Sequence, residues 1–204
     1  MTSQGAGRRS EYAALTRQAI LDAARKLFVE QGFFATRVED IAREARVAVP
    51  TVYAAAGGKG GLLRTLVEDG VRQADSGDLR QRIAANTDPA QLLEMIVRGT
   101  GNAFETWSPV MRQVTAAAEQ DPSVRQALDT AHASLRAGLT ATAVRLGEMG
   151  ALREGLSVES AADVLWYFLG NSSYYTLTDD CRWPLERSVD WLLECLTVAL
   201  VGKR

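Results

Sequence analysis

Between Leu15 and Glu30 the apolar residues Ile20, Leu21, Ala24, Leu27 and Phe28 recur at spacings of one and three, which winds them onto one face of an α-helix. Gly32 closes that pattern. Phe33 and Phe34 follow, and Thr36 stands three residues before Glu39, the spacing of a capping box opening a second helix. That helix buries Val38, Ile41, Ala42 and Ala45 and ends near Arg46. After the connection 46–48 a further short helix begins at Val49, with Pro50 in its first turn, where the missing amide has no intrahelical partner to lose. A fourth apolar pattern, Leu62, Leu63, Leu66 and Val67, starts near Lys59 or Gly60 and runs toward Ala74. Short helices joined by a tight turn in this order predict a helix-turn-helix.

Beyond Ala74 the pattern changes. Residues 75–88 are charged and include Ser76, Gly77 and Asn86, so few packing contacts and a domain boundary are expected there. Helical periodicity then resumes over 89–104, again after Ser108 and Pro109, and over 122–149. In the last of these Leu128, His132, Leu135, Leu139, Thr142 and Leu146 form a seam at spacings of four and three. Ser157 with Ser160 precedes an aromatic helix at 161–178, and Pro184 opens a final one. The fold class expected is all-α. A helix-turn-helix domain over 1–74, with 1–14 a flexible basic arm carrying Arg8 and Arg9, is joined to a larger helical domain over 75–204.

Composition narrows the classes. Hydrophobic residues make up 47% and charged residues 24% of the 204, with 5 prolines and 17 glycines, which describes a folded globular chain. The start MTSQGAGRRS is polar and basic with no apolar core of a signal peptide behind it, and 164–178 is too short and too polar to span a bilayer, so a cytoplasmic chain without membrane association is expected. Cys181 and Cys195 lack C-x-x-C spacing and neighbouring histidines, so no metal site and no disulfide framework is indicated. The net charge of −2 is uneven: through residue 60 there are nine Lys or Arg against six Asp or Glu, and beyond it fourteen against nineteen. A basic head on an acidic body suits phosphate contact at one end only. A phosphate-loop reading of the 57–61 cluster fails, because Tyr53 and Gly60 stand where Gly and Ser or Thr are needed. With one histidine and no nucleophile motif, neither an enzyme nor a cofactor is expected.

The stretch AILDAARKLFVEQGFFATRVEDIAREARVAVPTVYAAAGGKGGLL, residues 19–63, resembles the N-terminal domain of the TetR family of regulators. The resemblance implies a homodimer that binds a double-stranded DNA operator and answers to a small-molecule effector. It implies DNA contacts from Arg37, Val49, Pro50, Thr51, Tyr53, Ala54 and Lys59. The chemistry fits, since Thr51 offers a hydroxyl or methyl to a base edge, Tyr53 a hydroxyl to a phosphate, and Lys59 a charge beside free helix amides. A packing unit without a DNA role is the alternative. Three departures from the family pattern stand out: Ala55 and Ala56 replace larger residues, Gly58, Gly60 and Gly61 surround Lys59, and Arg46 occupies a turn position usual for glycine. Interior glycines cost about 1 kcal/mol each and a left-handed arginine about 1–2 kcal/mol, which predicts a loose head with modest DNA affinity.

For the larger domain the resemblance implies an effector pocket and a two-fold interface formed by the last helices. Phe104, Trp107 and Met111 lie around one helix junction, and Trp166, Asn171, Tyr174 and Tyr175 crowd one helix with aromatics and an amide; with His132 these are the candidate ligand residues. Such a set suits an aromatic or hydrophobic ligand, and equally suits core or interface packing. Trp191, Leu192, Cys195 and Leu196 are the candidate dimer residues. The mechanism expected is repression relieved by ligand; activation, ligand-independent regulation or a dimerisation module with a vestigial head remain the alternatives.

Overall fold

A computed structural model describes residues 3–74 and 77–201, with side chains described for 11–73 and 77–201. The described residues form ten α-helices: α1 (Ser3–Gln31), α2 (Val38–Glu44), α3 (Val49–Ala56), α4 (Lys59–Ala74), α5 (Asp78–Ala85), α6 (Pro89–Ala118), α7 (Pro122–Glu148), α8 (Val158–Leu169), α9 (Asn171–Tyr175) and α10 (Leu185–Leu196). Short π-helical turns, Thr176–Asp180 and Thr197–Val201, extend the last two. No strand occurs among the described residues, as an all-α class requires.

Two compact units emerge. The first comprises the chain up to Val71 together with Pro109–Ala131; the second comprises Arg72–Ser108 and the chain from His132 onward. The core of the first unit is aliphatic with two aromatic rings: Ile20, Leu27, Phe28, Phe33, Ile41, Val52, Leu62 and Leu63 all lie within it. Burying a side chain such as Ile20 or Phe28 is worth about 2–3 kcal/mol, and both are fully enclosed. Val110, Val114, Ala117 and Val124, from the end of α6 and the start of α7, complete that core.

Several sequence expectations change. Residues 3–14 are helical and form the outer turns of α1. The side chains of Arg8 and Arg9, which the basic arm was expected to carry, lie outside the described residues. The region 75–88 contains α5, anchored by Ile83 at 2% exposure. α6 runs unbroken through Pro109, because its apolar face continues across the proline into Val110 and Val114, and packing there outweighs the lost backbone bond.

The aromatic helix, by contrast, is broken. Gly170 adopts an extended backbone, with φ −68° and ψ 152°, so α8 stops at Leu169 and α9 starts afresh. Ser157 does cap α8, its Oγ accepting from the Ser160 amide at 3.1 Å. The capping box read at Thr36 is not formed. Thr36 is buried and its hydroxyl donates backward, to the Gly32 carbonyl at 2.8 Å, which leaves Arg37 at the N-cap of α2 with no side-chain cap.

Candidate nucleic-acid interface and aromatic body

The turn between α2 and α3 is built as the sequence suggests. Arg46 stands at φ 56°, the left-handed region, while the Val47 amide donates to the Ala42 carbonyl at 2.9 Å. α3 then presents two faces. Val52 is fully enclosed, whereas Tyr53 is 51% exposed, Pro50 and Ala54 are exposed, and Val49 and Thr51 are half-buried. One buried valine thus fixes which side of this eight-residue helix faces solvent. Arg37, at the start of α2, is exposed as well. Six of the seven residues expected at DNA thus lie on α3 or at the N-cap of α2 with accessible surface.

Lys59 is held within the head. Its ammonium donates to the carbonyl oxygens of Phe33 at 2.8 Å, Phe34 at 3.1 Å and Thr36 at 3.2 Å, and lies 4.6 Å from the centre of the Phe33 ring. An ammonium has three N–H groups, and here each has a carbonyl. Burial holds its pKa below the ordinary lysine value. Lys59 in this arrangement ties the start of α4 to the turn after α1, which takes its donors away from a phosphate. Arg17 adds a similar tie, donating to the Ala55 carbonyl at 3.0 Å.

The small residues around Tyr53 also read differently in three dimensions. Ala55 and Ala56 pack against the head core, and a Cβ built at Gly61 would overlap the Ala56 carbonyl oxygen. Gly57 and Gly58 carry the chain from α3 to α4 at φ 75° and 120°. The glycines therefore permit close approach of α3 to α4, where the sequence suggested looseness.

The candidate ligand residues do not form one site. Phe104 stacks on Tyr174 with ring centres 4.9 Å apart and meets Tyr175 edge-on at 5.1 Å; Phe104 and Tyr174 are buried, so this cluster is filled core. Tyr174 Oη shares a hydrogen bond with Thr100 Oγ1 at 2.9 Å, and burial pushes its pKa up to about 12. His132 is exposed, off the apolar seam, with its ring edge-on to Trp166 at 5.6 Å. Asn171 and Trp107 are half-buried, and Met111 packs in the first unit. A groove of about 740 Å³ opens elsewhere, between α5 and α7, over Ile83, Ala137 and Ala141 with Arg80, Arg136 and Arg145 among its walls. Sequence reading passed over it because alanines and arginines at a helix surface carry no aromatic signal.

The dimer candidates divide in two. Leu192 and Leu196 are buried at 1% and 0% in their own unit, on the inward side of the 3.6-residue period. Trp191 is exposed and Cys195 half-buried; Tyr167 and Val198 are exposed too. Among the described residues no group of three or more His, Cys, Asp or Glu could hold a metal ion, and no helix is long and apolar enough to cross a membrane.

A buried anchor, an exposed recognition face and a tight turn define a helix-turn-helix DNA-binding regulator. The family model of bacterial regulatory proteins, tetR family, matches residues 20–66, the span from α1 into α4. The HTH-type transcriptional regulator BetI of Burkholderia cenocepacia is 26% identical over 156 residues, covering 74% of this chain and 80% of that protein. A regulator of Saccharomonospora viridis in complex with choline superposes with a TM-score of 0.76 at 19% identity, covering 92% of this chain and 98% of that one. NalD, the secondary repressor of the MexAB-OprM multidrug efflux pump in Pseudomonas aeruginosa, does so at 0.71 and 23% identity, covering 95% and 100%. Residues 20–66 carry the DNA-binding domain of the TetR family, and the chain is a DNA-binding transcriptional regulator.

Proposed function

We propose that the chain is a homodimeric repressor that binds a palindromic operator and leaves it when a small aromatic or hydrophobic effector binds. The observation that carries the reading is the exposed face of α3, Pro50, Thr51, Tyr53 and Ala54, fixed in orientation by the buried Val52. A dimer places two such helices one DNA turn apart or a multiple of it, which is how two short helices read a palindrome. Residues 1–74 form the DNA-binding domain in this reading and 75–204 the effector and dimerisation domain, with 109–131 packing against the former. The paired surface is the exposed apolar set Tyr167, Trp191 and Val198, beside Cys195. The cytoplasm is the compartment this requires, and no catalytic role is assigned.

The effector takes the α5–α7 groove or opens the Phe104–Tyr174–Tyr175 cluster; apolar walls with a few polar groups favour a hydrophobic molecule in either. The named relatives lend support, one being solved with a small molecule and another being a repressor. Duplexes selected by the chain from a random pool supply the operator. Tyr53→Ala is expected to weaken binding to the selected duplex by about tenfold or more, and Trp191→Glu to convert the dimer to a monomer in sedimentation. Unchanged binding in the first variant removes α3 from the interface, and an unchanged mass in the second removes Trp191 from the dimer.

A further inference from the structure

Two glycines in the head each receive a polar side chain from the corner between α6 and α7. At Gly32, with φ 86°, a Cβ would stand 3.5 Å from Gln113 Oε1, and that same oxygen accepts the next amide, Phe33 N, at 2.9 Å. At Gly60, in the first turn of α4, a Cβ would overlap Asp121 Oδ2. Asp121 cannot simply swing aside. Its other oxygen caps α7, accepting from the Ser123 amide at 2.9 Å, the Ser123 hydroxyl at 2.7 Å and the Val124 amide at 3.4 Å.

These two contacts meet at one residue. Phe33 is held at its amide by Gln113 and at its carbonyl by Lys59, the neighbour of Gly60. The turn from α1 to α2 and the first turn of α4 are therefore joined to each other and to the same corner. A carboxylate beside the start of the 16-residue α4 also lies at the favourable end of that helix.

We propose that Gln113 and Asp121 are positioning residues for DNA recognition: through Gly32, Phe33 and Gly60 the α6–α7 corner fixes the relative placement of α1, α2 and α4, and hence of α3, which these helices carry. The inference rests on the DNA-binding reading of the head. Neither residue lies on α2 or α3, and Asp121 carries the wrong charge for a phosphate, so electrostatics alone makes its removal favourable to DNA binding. A loss of affinity on removing it is accordingly the signature of positioning.

The test uses the full chain and a duplex it selects from a random pool. Asp121→Ser retains a side-chain oxygen to cap α7 while withdrawing the one that meets Gly60. It is expected to weaken duplex binding about tenfold, as is Gln113→Leu, with the dependence on salt unchanged and Gln113→Glu restoring affinity. Gly60→Ala is expected to weaken binding at least as much, yet to add nothing in the Asp121→Ser background, since the clash is then gone. Additive losses, wild-type affinity in both Asp121→Ser and Gln113→Leu, or a salt dependence that falls with affinity would overturn the proposal. A wild-type chain that selects no duplex would end the DNA-binding reading itself and this inference with it.

Discussion

The two units are held together differently. The first has an aliphatic core tightened by directional ties to backbone: Lys59 on three carbonyls, Arg17 on one and Gln113 on one amide. The second relies more on large side chains, with Phe104 on Tyr174 and leucines along α6, α7, α8 and α10, and its ties to backbone come from Arg145 to Asn86 and from Tyr174 and Tyr175 to α6. A surface that must present side chains at fixed spacing gains from directional bonds, because packing alone tolerates small rotations. An aromatic interior that can repack around a molecule suits a unit that senses one.

The largest effect that can break this contrast is Phe104→Ala. If the ring is core, as its 7% exposure indicates, urea denaturation will show a loss of about 3–5 kcal/mol. A loss under about 1 kcal/mol would mean the ring instead lines a cavity that is already open. Gly61→Ala probes the first unit in the same way. Its Cβ meets backbone, not a movable side chain, so a destabilisation of about 1–3 kcal/mol is expected although alanine favours helix. A more stable variant would restore the looser head that the glycines suggested in sequence.

Tyr174→Phe removes the hydroxyl that meets Thr100 and is expected to cost about 1 kcal/mol near neutral pH. The same hydroxyl gives a pH signature. Its pKa in the fold, about 12, lies above the ordinary 10.0, so the folded state retains the proton longer than the unfolded one. That contribution is whole below pH 10 and disappears as pH rises through about 12, so the wild-type chain will lose stability over this window more steeply than Tyr174→Phe. Parallel curves would place the hydroxyl in contact with water. The smallest change is a gain: Arg46→Gly relieves the left-handed backbone at φ 56° and is expected to stabilise the first unit by about 1 kcal/mol in thermal denaturation.

Legibility followed the same division. α1, α3 and α4, the left-handed Arg46 and the outward Tyr53 could be read because each depends on local periodicity or turn chemistry. The capping box at Thr36 failed because its hydroxyl found the carbonyl of Gly32 first, a choice between two local partners that spacing cannot make. In the second unit the aromatics of α8 and α9 were visible as a cluster, but not which of them would be covered. Gly170 breaks the helix and turns Tyr174 inward while Tyr167 remains 72% exposed.

What the amino-acid sequence determined by itself was the helical class, the helix-turn-helix and the face of α3, since period, turn residues and a buried Val52 are all short-range. Tertiary structure alone decided the destination of Lys59, the use of Gly60 and Gly61 as points of close approach, and the arrival of Gln113 and Asp121 at the head from more than fifty positions away. It also decided that Leu192 and Leu196 serve the interior while Trp191 faces out. The reason is physical: a donor's partner and a helix's covered side depend on which segments are near in space, and chain separation places no limit on that.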